Sequence, residues 1–515
     1  MISWLCFLVT VAMAESARIL AFFPQETPSH QFIFRPVIEG LAKNGHDVVY
    51  VSAYPYKEIP MNITQIDLSK YDVNDYEFED IDLMAIAETN LMVYTSEMYS
   101  YGEIMARYYV GNKEVQELIH SDQKFDAVMF ESYFYQEYLS ALIHKFNAIP
   151  IEVMTLGDCA WINEMSGIQD NPAYQVDCKS GLSGNMNFWQ KLYNVYVTTF
   201  TILSSYYYLH YTQQSLMDLY FNYTGWESRP SIDILSRNRS LILTNFDHVF
   251  ADPYPMAPHR KDIGGINIKP PKPLPEDLQK IMDESKHGVI YMSMGSHIDP
   301  SQFKDQISAF LEVFRELPQR VILKYDPEKA GEIPANVKVS KWIPQQDVLA
   351  HKNCVLFITH GGLLSLSEAI YNGVPLIGIP VFADQGKNMA MMESQGIGRV
   401  LNLRNITRDS VSWTVREILS NNRYREASLR RSKMLRDMRH SPVEEAVYWI
   451  EHTLKYPFAL TPKSTNLSAI EFHLIDVKIF ITLALILILY ILYFVFKIAK
   501  NIALKAIRKP KQKVN

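Results

Sequence analysis

The chain has 515 residues, of which 48% are hydrophobic and 21% are charged, and its formal net charge is -6. This length predicts two globular domains with accessory segments, because single hydrophobic cores stop growing beyond about 300 residues. The composition excludes a disordered chain. The negative net charge, with a run of basic residues only at the extreme C-terminus, argues against nucleic acid as a partner.

The first residues predict a secretory signal. Residues 2–11 form a short apolar run, and Ala12-Met13-Ala14 follows with the small-x-small pattern of a signal-peptidase site, so we expect residues 1–14 to be removed.

Cys159 and Cys178 either form a disulfide in an oxidising lumen or remain two free thiols, and no Cys/His spacing predicts a metal site. Five N-x-S/T sequons become candidate glycosylation sites in a lumenal chain: Asn62, Asn222, Asn238, Asn405 and Asn466.

The C-terminal end of the chain predicts a membrane anchor. Residues 475–496 end in an uncharged apolar run that is long enough to cross about 30 Å of hydrocarbon as a helix. Residues 497–515 contain seven Lys or Arg and no acidic residue, so the positive-inside rule places this tail in the cytosol and the preceding domains in the lumen. Lys511 and Lys513 fit the K-x-K-x-x dilysine signal of endoplasmic-reticulum proteins. A basic stop-transfer tail is the alternative interpretation.

Residues 15–268 predict a first α/β domain. We expect strands at residues 18–23, 47–53 and 125–130, a polar loop at 25–31, and a helix in which Phe34, Ile38 and Leu41 share one face. Strands that alternate with helices in this way are typical of a parallel sheet covered on both faces.

The segment from residue 187 to residue 212 is aromatic and nearly uncharged. Two interpretations remain open. The segment forms packed core helices, or it touches a lipid surface, where Tyr and Trp are favoured.

Residues 269–275, Lys-Pro-Pro-Lys-Pro-Leu-Pro, cannot form a helix or a central strand and predict a semi-rigid linker. Residues 276–460 then predict a second doubly wound α/β domain. We expect its strands at residues 288–294, 320–325, 355–359 and 376–380, and helices at 300–317 and 362–372.

The polar residues after two of these strands suit a nucleotide sugar. His360-Gly361-Gly362 follows one strand and opens a helix, where backbone N–H groups and the helix dipole favour a diphosphate. Ser365 in the first turn would also donate to phosphate. Glu368 lies on nearly the same helix face, and its carboxylate can accept hydrogen bonds from both ribose hydroxyls. The next strand leads to Asp384-Gln385, a pair that can bind sugar hydroxyls.

Together these motifs resemble a known family. They are WIPQQDVLAH at residues 342–351, FITHGG at 357–362, EAI at 368–370, GVP at 373–375 and DQ at 384–385. They closely resemble the signature of UDP-glycosyltransferases, and the signal, single span and dilysine tail resemble the animal microsomal UDP-glucuronosyltransferase-like group. The segments HGGLLS at residues 360–365 and PVFADQ at residues 380–385 are more similar to those of invertebrate members.

The resemblance implies an α/β fold called GT-B, with two Rossmann-like domains facing one cleft and a C-terminal transmembrane helix. It implies that Trp342 stacks on uracil, with Gln345 beside the base or ribose. It further implies that Glu368 binds the ribose and that Asp384 and Gln385 bind the sugar. The implied phosphate contacts are Ser293, Gly295, Ser296, His360, Gly362 and Ser365.

For the acceptor side, the resemblance implies that His30 is the general base, and an imidazole exchanges protons readily near neutral pH. Glu131, after the predicted strand 125–130, aligns with the residue that orients this histidine. Asp is commoner there in the family, so Glu is a departure. Asp126, at the start of the same strand, is a less well placed alternative.

The reaction implied is an inverting transfer from a UDP-sugar to a hydroxyl of a small lipophilic acceptor of the phenol, steroid, flavonoid or xenobiotic type, as in detoxification, giving a β-glycoside without metal or cofactor. Tyr254 occupies a position where glucuronate-using relatives commonly carry Arg, which favours UDP-glucose; UDP-glucuronate remains the alternative. A catalytically silent membrane protein that binds a UDP-sugar is a further alternative function. An NAD-dependent oxidoreductase is disfavoured because residues 23–31 contain no G-x-G-x-x-G. The sequence favours neither a monomer nor a homo-oligomer.

Overall fold

The computed structural model describes residues 16–25, 27–71, 83–133, 135–157, 159–295, 298 and 300–507. The expected signal peptide, Ser296 and the dilysine pattern at Lys511 and Lys513 lie outside the described residues. The chain divides into two compact units, one up to Pro462 and one from Lys463 onward. Each unit is described by itself.

The first sheet of the larger unit has seven parallel strands within the described part of the chain. They are β1 (Arg18–Phe22), β2 (Asp47–Ser52), β3 (Ile63–Asp67), β4 (Ala127–Phe130), β5 (Ile149–Met154), β6 (Leu241–Thr244) and β7 (Arg260–Asp262). Their order is β3-β2-β1-β4-β5-β6-β7, so the direction of winding reverses between β1 and β4. The central strands are buried on both faces, as their Val- and Ile-rich sequences predict.

The second sheet, in the same unit, has six parallel strands by the same description. They are β8 (Val289–Ser293), β9 (Arg320–Lys324), β10 (Val337–Ser340), β11 (Cys354–Thr359), β12 (Leu376–Gly378) and β13 (Gly398–Val400). Their order is β10-β9-β8-β11-β12-β13, which places the reversal between β8 and β11. Two doubly wound sheets confirm the predicted α/β fold class. The expected strands differ from the observed ones by one or two residues at their ends.

Helices cover both sheets of the larger unit. Those described are α1 (Pro28–Lys43), α2 (Leu83–Glu88), α3 (Leu91–Met105), α4 (Lys113–His120), α5 (Ala141–Phe146), α6 (Ala160–Met165), α7 (Phe188–Tyr208), α8 (Gln214–Tyr220), α9 (Ile232–Leu235), α10 (Glu276–Glu284), α11 (Lys304–Arg315), α12 (Gln345–Ala350), α13 (Leu363–Tyr371), α14 (Gln385–Ser394), α15 (Arg408–Ser420), α16 (Asn422–Arg436) and α17 (Pro442–Lys455). A 3-10 turn at Pro300–Phe303 precedes α11 where one continuous helix was expected.

The last helix of the larger unit returns to the first sheet. Helix α17 begins at a capping box made by Ser441 and Glu444 and packs against α1. A Cβ at Gly40 of α1 would lie 2.8 Å from Cγ2 of Val447, so glycine permits this close approach. The chain therefore covers its first domain with a helix that follows the second.

The aromatic segment is one long helix, α7, which begins at a capping box made by Asn187 and Gln190. One face packs on the first domain and the other is exposed.

A disulfide joins Cys159 to Cys178, while Cys354 is a buried thiol. Of the sequon residues, Asn238 is partly buried and the other four are exposed.

The smaller unit contains α18 (Ala469–Phe472) and α19 (Ile475–Ile507). Helix α19 is long and apolar enough, over Ile475–Ala506, to cross a membrane. It includes the predicted span at residues 475–496 and continues into the basic residues beyond it.

Candidate active site

Each sheet reverses its winding at one point, and the expected site residues follow the strands at those points. His30 lies just after β1 and Glu131 directly after β4, while Gly295 lies after β8 and His360 after β11. Ligands of open parallel sheets bind in the crevice that forms where neighbouring crossovers leave on opposite faces. Each crevice is therefore a candidate binding or catalytic site.

His30 and Glu131 are in direct contact on the first sheet. The His30 Nδ1 atom lies 2.8 Å from Oε2 of Glu131, and both side chains are buried. His30 is in the first turn of α1, not in the expected loop, because Pro28 starts the helix at its N1 position. With the carboxylate accepting from Nδ1–H, the lone pair of the ring lies on Nε2, the tautomer a general base requires.

Thr155, which the sequence reasoning missed, completes this cluster. Its backbone N–H donates to Oε1 of Glu131 at 2.9 Å, and Gln25 Nε2 donates to Oε2 at 3.3 Å. The Thr155 hydroxyl also contacts His30 Nδ1 at 3.0 Å. Glu131 is thus fixed from three sides. Asp126 is excluded as the partner, because it sits at the opposite end of the strand, where its carboxylate accepts from the backbone of Arg18.

The imidazole of His360 lies in a slot between two glycines of the second sheet. A Cβ at Gly295 would lie 2.6 Å from Cε1 of His360, and a Cβ at Gly362 would lie 2.6 Å from Nε2. Any larger residue at either position would displace the ring. The two loops that the resemblance assigns to phosphate therefore meet at one histidine, beside the N-terminus of α13.

Further polar groups surround this slot. The hydroxyl of Ser293 accepts from the backbone N–H of Gly295 at 3.3 Å, and that of Ser365 accepts from Gln345 Nε2 at 3.0 Å. Lys324, at the end of β9, donates to the carbonyl oxygen of Gly295 at 2.9 Å. Burial lowers the pKa of this ammonium group. Lys324 was not predicted, because a lysine ending a strand carries no motif.

Glu368, the expected ribose carboxylate, is buried among amides. Gln345 Nε2 donates to its Oε2 at 2.7 Å, and Gln346 Nε2 and Asn267 Nδ2 donate to its Oε1 at 2.9 and 3.1 Å. Burial raises the pKa of Glu368 to about 7, against the opposing effect of these hydrogen bonds. Trp342 lies nearby in sequence with 68% of its surface exposed, as a stacking platform requires.

Asp384 and Gln385 stand at the start of α14, and they differ in what they contact. Asp384 is buried and accepts from Asn388 Nδ2 at 2.7 Å, and Asn388 also donates to the carbonyl of Gly361 at 3.1 Å. Gln385 instead turns its Oε1 back to the backbone N–H groups of Val381 and Phe382. Its carbonyl oxygen therefore stabilises the turn, so only the amide nitrogen is left to bind sugar as expected.

The two halves face each other at Asp384. Burial raises the pKa of Asp384, and a positive charge on His30, present only when the ring has taken up a proton, opposes that rise. Tyr94 of α3 is hydrogen-bonded to the backbone of Ala383, which adopts a left-handed φ of 56°. Backbone in this region is uncommon for alanine and is often found at ligand sites. The candidate base and the candidate sugar-binding acid thus share one cleft.

Aromatic side chains continue from His30 into the first domain. The ring of Tyr133 lies 6.3 Å from that of His30, and Tyr135 stacks on Trp161 at 5.2 Å. Lys179 donates to the Tyr135 hydroxyl at 2.8 Å and lies over the Trp161 ring. Burial lowers the pKa of Lys179 to about 8. This aromatic wall was not predicted, because its members are scattered between residues 133 and 179.

Comparison with known proteins decides the family. The family described as UDP-glucoronosyl and UDP-glucosyl transferase matches this chain over residues 18–513. The chain belongs to this family. UDP-glucosyltransferase 2 of Dactylopius coccus is 32% identical over 498 residues, 95% of each chain. UDP-glucuronosyltransferase 2B9 of Macaca fascicularis is 26% identical over 486 residues, 90% of each chain.

Solved structures agree on the fold of this UDP-glycosyltransferase. A UDP-glucose:anthocyanidin 3-O-glucosyltransferase in complex with UDP superposes with a TM-score of 0.57 at 14% identity, covering 86% of this chain and 99% of that one. The calicheamicin glycosyltransferase CalG4 superposes with a TM-score of 0.55 at 16% identity, covering 86% and 99%. These structures confirm the GT-B fold, and the family match with its relatives confirms the glycosyltransferase class of the enzyme. Helix α19 and the microsomal relatives indicate a membrane-anchored protein.

Proposed function

We propose that this enzyme transfers glucose from UDP-glucose to a hydroxyl group of a small lipophilic acceptor and inverts the anomeric carbon. One observation carries the proposal. A buried histidine in contact with a carboxylate, His30 with Glu131, lies within electrostatic reach of the buried acid Asp384 of the second domain. This arrangement supplies a base on the acceptor side and a sugar-binding acid on the donor side.

The proposed step is a single displacement. Nε2 of His30 takes the proton of the acceptor hydroxyl while its oxygen forms a bond to the anomeric carbon. The bond from that carbon to the diphosphate oxygen breaks, and UDP leaves with the electron pair. Glu131 stabilises the imidazolium, and backbone N–H groups at α13 with His360 and Ser365 stabilise the negative charge on the diphosphate. One displacement converts an α-linked donor into a β-glycoside.

Glucose is the preferred donor in this proposal. Tyr254 supplies no positive charge for a glucuronate carboxylate, and its ring lies against Phe246 at the hydrophobic cluster of the second sheet. The relative named as a glucosyltransferase is also more similar to this chain than the one named as a glucuronosyltransferase, at 32% against 26% identity. UDP-glucuronate is the competing donor for the experiment below.

The acceptor proposed here is aromatic or otherwise flat and apolar. Tyr133, Tyr135 and Trp161 form a buried aromatic wall that starts beside the candidate base. Aromatic rings prefer offset-stacked or edge-to-face partners, which a phenol or a flavonoid offers. The Lys179 ammonium at this wall would bind a polar substituent of the acceptor.

We also propose the location and the cofactor requirement. A cleavable signal, lumenal catalytic domains, one span in α19 and a dilysine tail would make the enzyme a type I protein of the endoplasmic-reticulum membrane. Proton transfer and leaving-group stabilisation both come from side chains and backbone, so the proposed step balances without a metal or an organic cofactor.

Microsomes that contain the full chain test this proposal. They are given radiolabelled UDP-glucose or UDP-glucuronate with a panel of phenols, and product and UDP affinity are measured for the wild type, His30→Ala and the control His287→Ala. His287 is an exposed histidine outside the cleft. We expect glucosylation by the wild type and the control, and UDP binding without transfer by His30→Ala. Normal turnover by His30→Ala would remove the base assignment, and donor binding by a wild type without transfer would identify a silent partner.

A further inference from the structure

Helix α7 has its polarity reversed relative to an ordinary surface helix. Its buried face is mostly polar: Asn194, Val197, Thr198, Thr201, Ser205 and Tyr208. Its exposed face is aromatic and aliphatic: Phe188, Trp189, Leu192, Tyr193, Val195, Tyr196, Leu203 and Tyr207. A helix of a water-soluble protein normally turns its apolar stripe to the core. Exposed fractions of 72% for Trp189 and 68% for Tyr207 show how open this stripe is.

The stripe is continuous and almost uncharged. Trp189, Leu192, Tyr196, Leu203 and Tyr207 recur at intervals of three, four or seven residues, so they lie on one line along the helix. From the first to the last, 18 residues rise about 27 Å. Lys191 is the only charged residue of α7. An apolar surface of this length that lies open to solvent marks an interaction site.

The orientation of the helix is fixed by its polar face. Asn194 donates to the carbonyl oxygens of Pro172 and Gln175 at 2.8 and 2.7 Å, and its own oxygen accepts from the backbone N–H of Asp177 at 3.2 Å. Turning the aromatic face inward would leave these buried groups unbonded, at a cost of about 1–3 kcal/mol for each. The aromatic stripe therefore stays outside.

We propose that the stripe on α7 rests in the headgroup layer of the lipid bilayer that α19 spans. Tyr and Trp are the residues favoured at that depth, where a ring meets hydrocarbon and its polar atom meets water. The same chain carries a helix long enough to span, so the lipid surface is present at a high effective concentration. The first domain would then be held to the membrane by two contacts, one spanning and one interfacial.

Spin labels on the full chain in nanodiscs test the proposal. A nitroxide is attached at Leu192→Cys, at Tyr207→Cys or at the control Ser420→Cys, an exposed position at the end of α15. The described native cysteines are a disulfide and a buried thiol, so the new thiol is the reactive one. Transfer activity verifies that each variant is folded.

We expect labels at Leu192 and Tyr207 to be at least fivefold more accessible to oxygen than to a water-soluble nickel complex, and the label at Ser420 to show the opposite. Equal nickel accessibility at all three positions would overturn the proposal. So would spin–spin broadening at Leu192 and Tyr207 that disappears on dilution with unlabelled chain, because a second copy would then cover the stripe.

A second, independent observation concerns Asn267, which follows β7 and precedes the linker. It is buried, with 2% of its surface exposed, and both side-chain polar groups and the backbone oxygen bind the second domain. Nδ2 donates to Glu368, Oδ1 accepts from the Ser367 hydroxyl at 3.1 Å, and the backbone oxygen accepts from Gln346 Nε2 at 3.0 Å. The first domain thus reaches the candidate ribose carboxylate with one side chain.

We infer that Asn267 is a positioning residue that keeps Glu368 ionised and correctly oriented for the ribose of the donor. The inference rests on the proposed UDP-sugar site. A carboxylate buried as deeply as Glu368 takes up a proton unless it is given hydrogen-bond donors. Asn267 supplies one of three such donors from side chains, and it is the one that comes from the first domain, since Gln345 and Gln346 belong to α12.

The test is the pH dependence of UDP affinity for purified full-length Asn267→Ala, Glu368→Gln and the control Asn336→Ala. Asn336 is a side-chain amide of the second domain, which also contains Glu368, and its Nδ2 bonds to the backbone oxygens of Phe314, Leu317 and Gln319. If loss of the Asn267 donor raises the pKa of Glu368 by about one unit, affinity falls about eightfold at pH 6.5 and less than twofold at pH 8.5. The control should keep the wild-type pH profile.

Two outcomes separate the inference from the function it rests on. Wild-type UDP affinity in Glu368→Gln at every pH would remove the ribose site and with it the proposed donor pocket. A marked loss in Glu368→Gln together with a wild-type pH profile in Asn267→Ala would leave the pocket and remove the positioning role.

Discussion

Replacement of Glu131 by Gln is expected to disable the base while leaving the fold and the donor site intact. The carboxylate accepts from Thr155 N–H through Oε1 and from His30 Nδ1 and Gln25 Nε2 through Oε2. A Gln in the same position must keep its oxygen toward Thr155, so its NH2 group faces His30. Nδ1 then becomes the acceptor and the proton moves to Nε2. The ring would present a proton to the acceptor hydroxyl in place of a lone pair.

The magnitude follows from this geometry. The variant loses a hydrogen bond to a charged carboxylate in a buried site, which is worth about 1.5–3 kcal/mol, and it loses the active tautomer as well. We therefore expect kcat to fall by a factor of about 100 to 1,000. The KM for UDP-glucose should change less than threefold, because Glu131 lies on the acceptor side.

A series of phenols of decreasing pKa is the decisive assay. A nitrophenol that is already ionised at the assay pH needs no base, so the defect of Glu131→Gln should shrink toward wild type along the series. A defect of the same size for every phenol would refute the tautomer argument and indicate a general loss of structure. A kcat within threefold of wild type for an un-ionised phenol would refute the role of Glu131 itself.

Three further predictions follow from the donor site and the fold. Trp342→Ala should weaken UDP affinity about 5- to 150-fold in calorimetry, because base–aromatic stacking is worth about 1–3 kcal/mol. An unchanged affinity would exclude the stacking platform. Because the pKa of Glu368 is raised to about 7 and the ribose needs its ionised form, UDP affinity of the wild type should fall as pH drops through 7 and be constant above 8. Replacing both Cys159 and Cys178 with Ser should lower the free energy of unfolding by about 3 kcal/mol in urea titrations, since the disulfide closes a loop with a sequence separation of 19. A stability equal to that of the wild type would show that the loop is ordered without the disulfide.

A fourth prediction concerns metal. Transfer measured with and without EDTA should proceed at the same rate, because the proposed step draws its base and its leaving-group stabilisation from protein groups. Loss of activity in EDTA that added Mg²⁺ restores would contradict this.

The sequence predicted seven of the thirteen described strands, β1, β2 and β4 of the first sheet and β8, β9, β11 and β12 of the second, because these are mostly buried runs rich in β-branched residues. The other six strands were not predicted. The family resemblance implied that His30 and Glu131 would meet, and each does follow a strand at the carboxyl edge of one sheet. The start of α1 was misplaced although Pro28 carried the signal, because the polar residues before it look like a loop. Thr155 follows the next strand of the same edge and could have been found by the same argument.

Other parts of the site could not be predicted from the sequence. Asn267 and Lys324 act through contacts with residues 29 to 101 positions away, and neither belongs to a local pattern. The direction of the Gln385 side chain depends on backbone N–H groups exposed by the turn before it. These contacts form only when the chain is packed, so no spacing of residues in the sequence predicts them.

The return of α17 to the first sheet means that the first domain is built from two separate parts of the chain. The polypeptide passes between the two domains at the proline segment and again between α16 and α17. A fragment that ended at the proline segment would therefore lack α17 and leave the face of α1 around Gly40 uncovered.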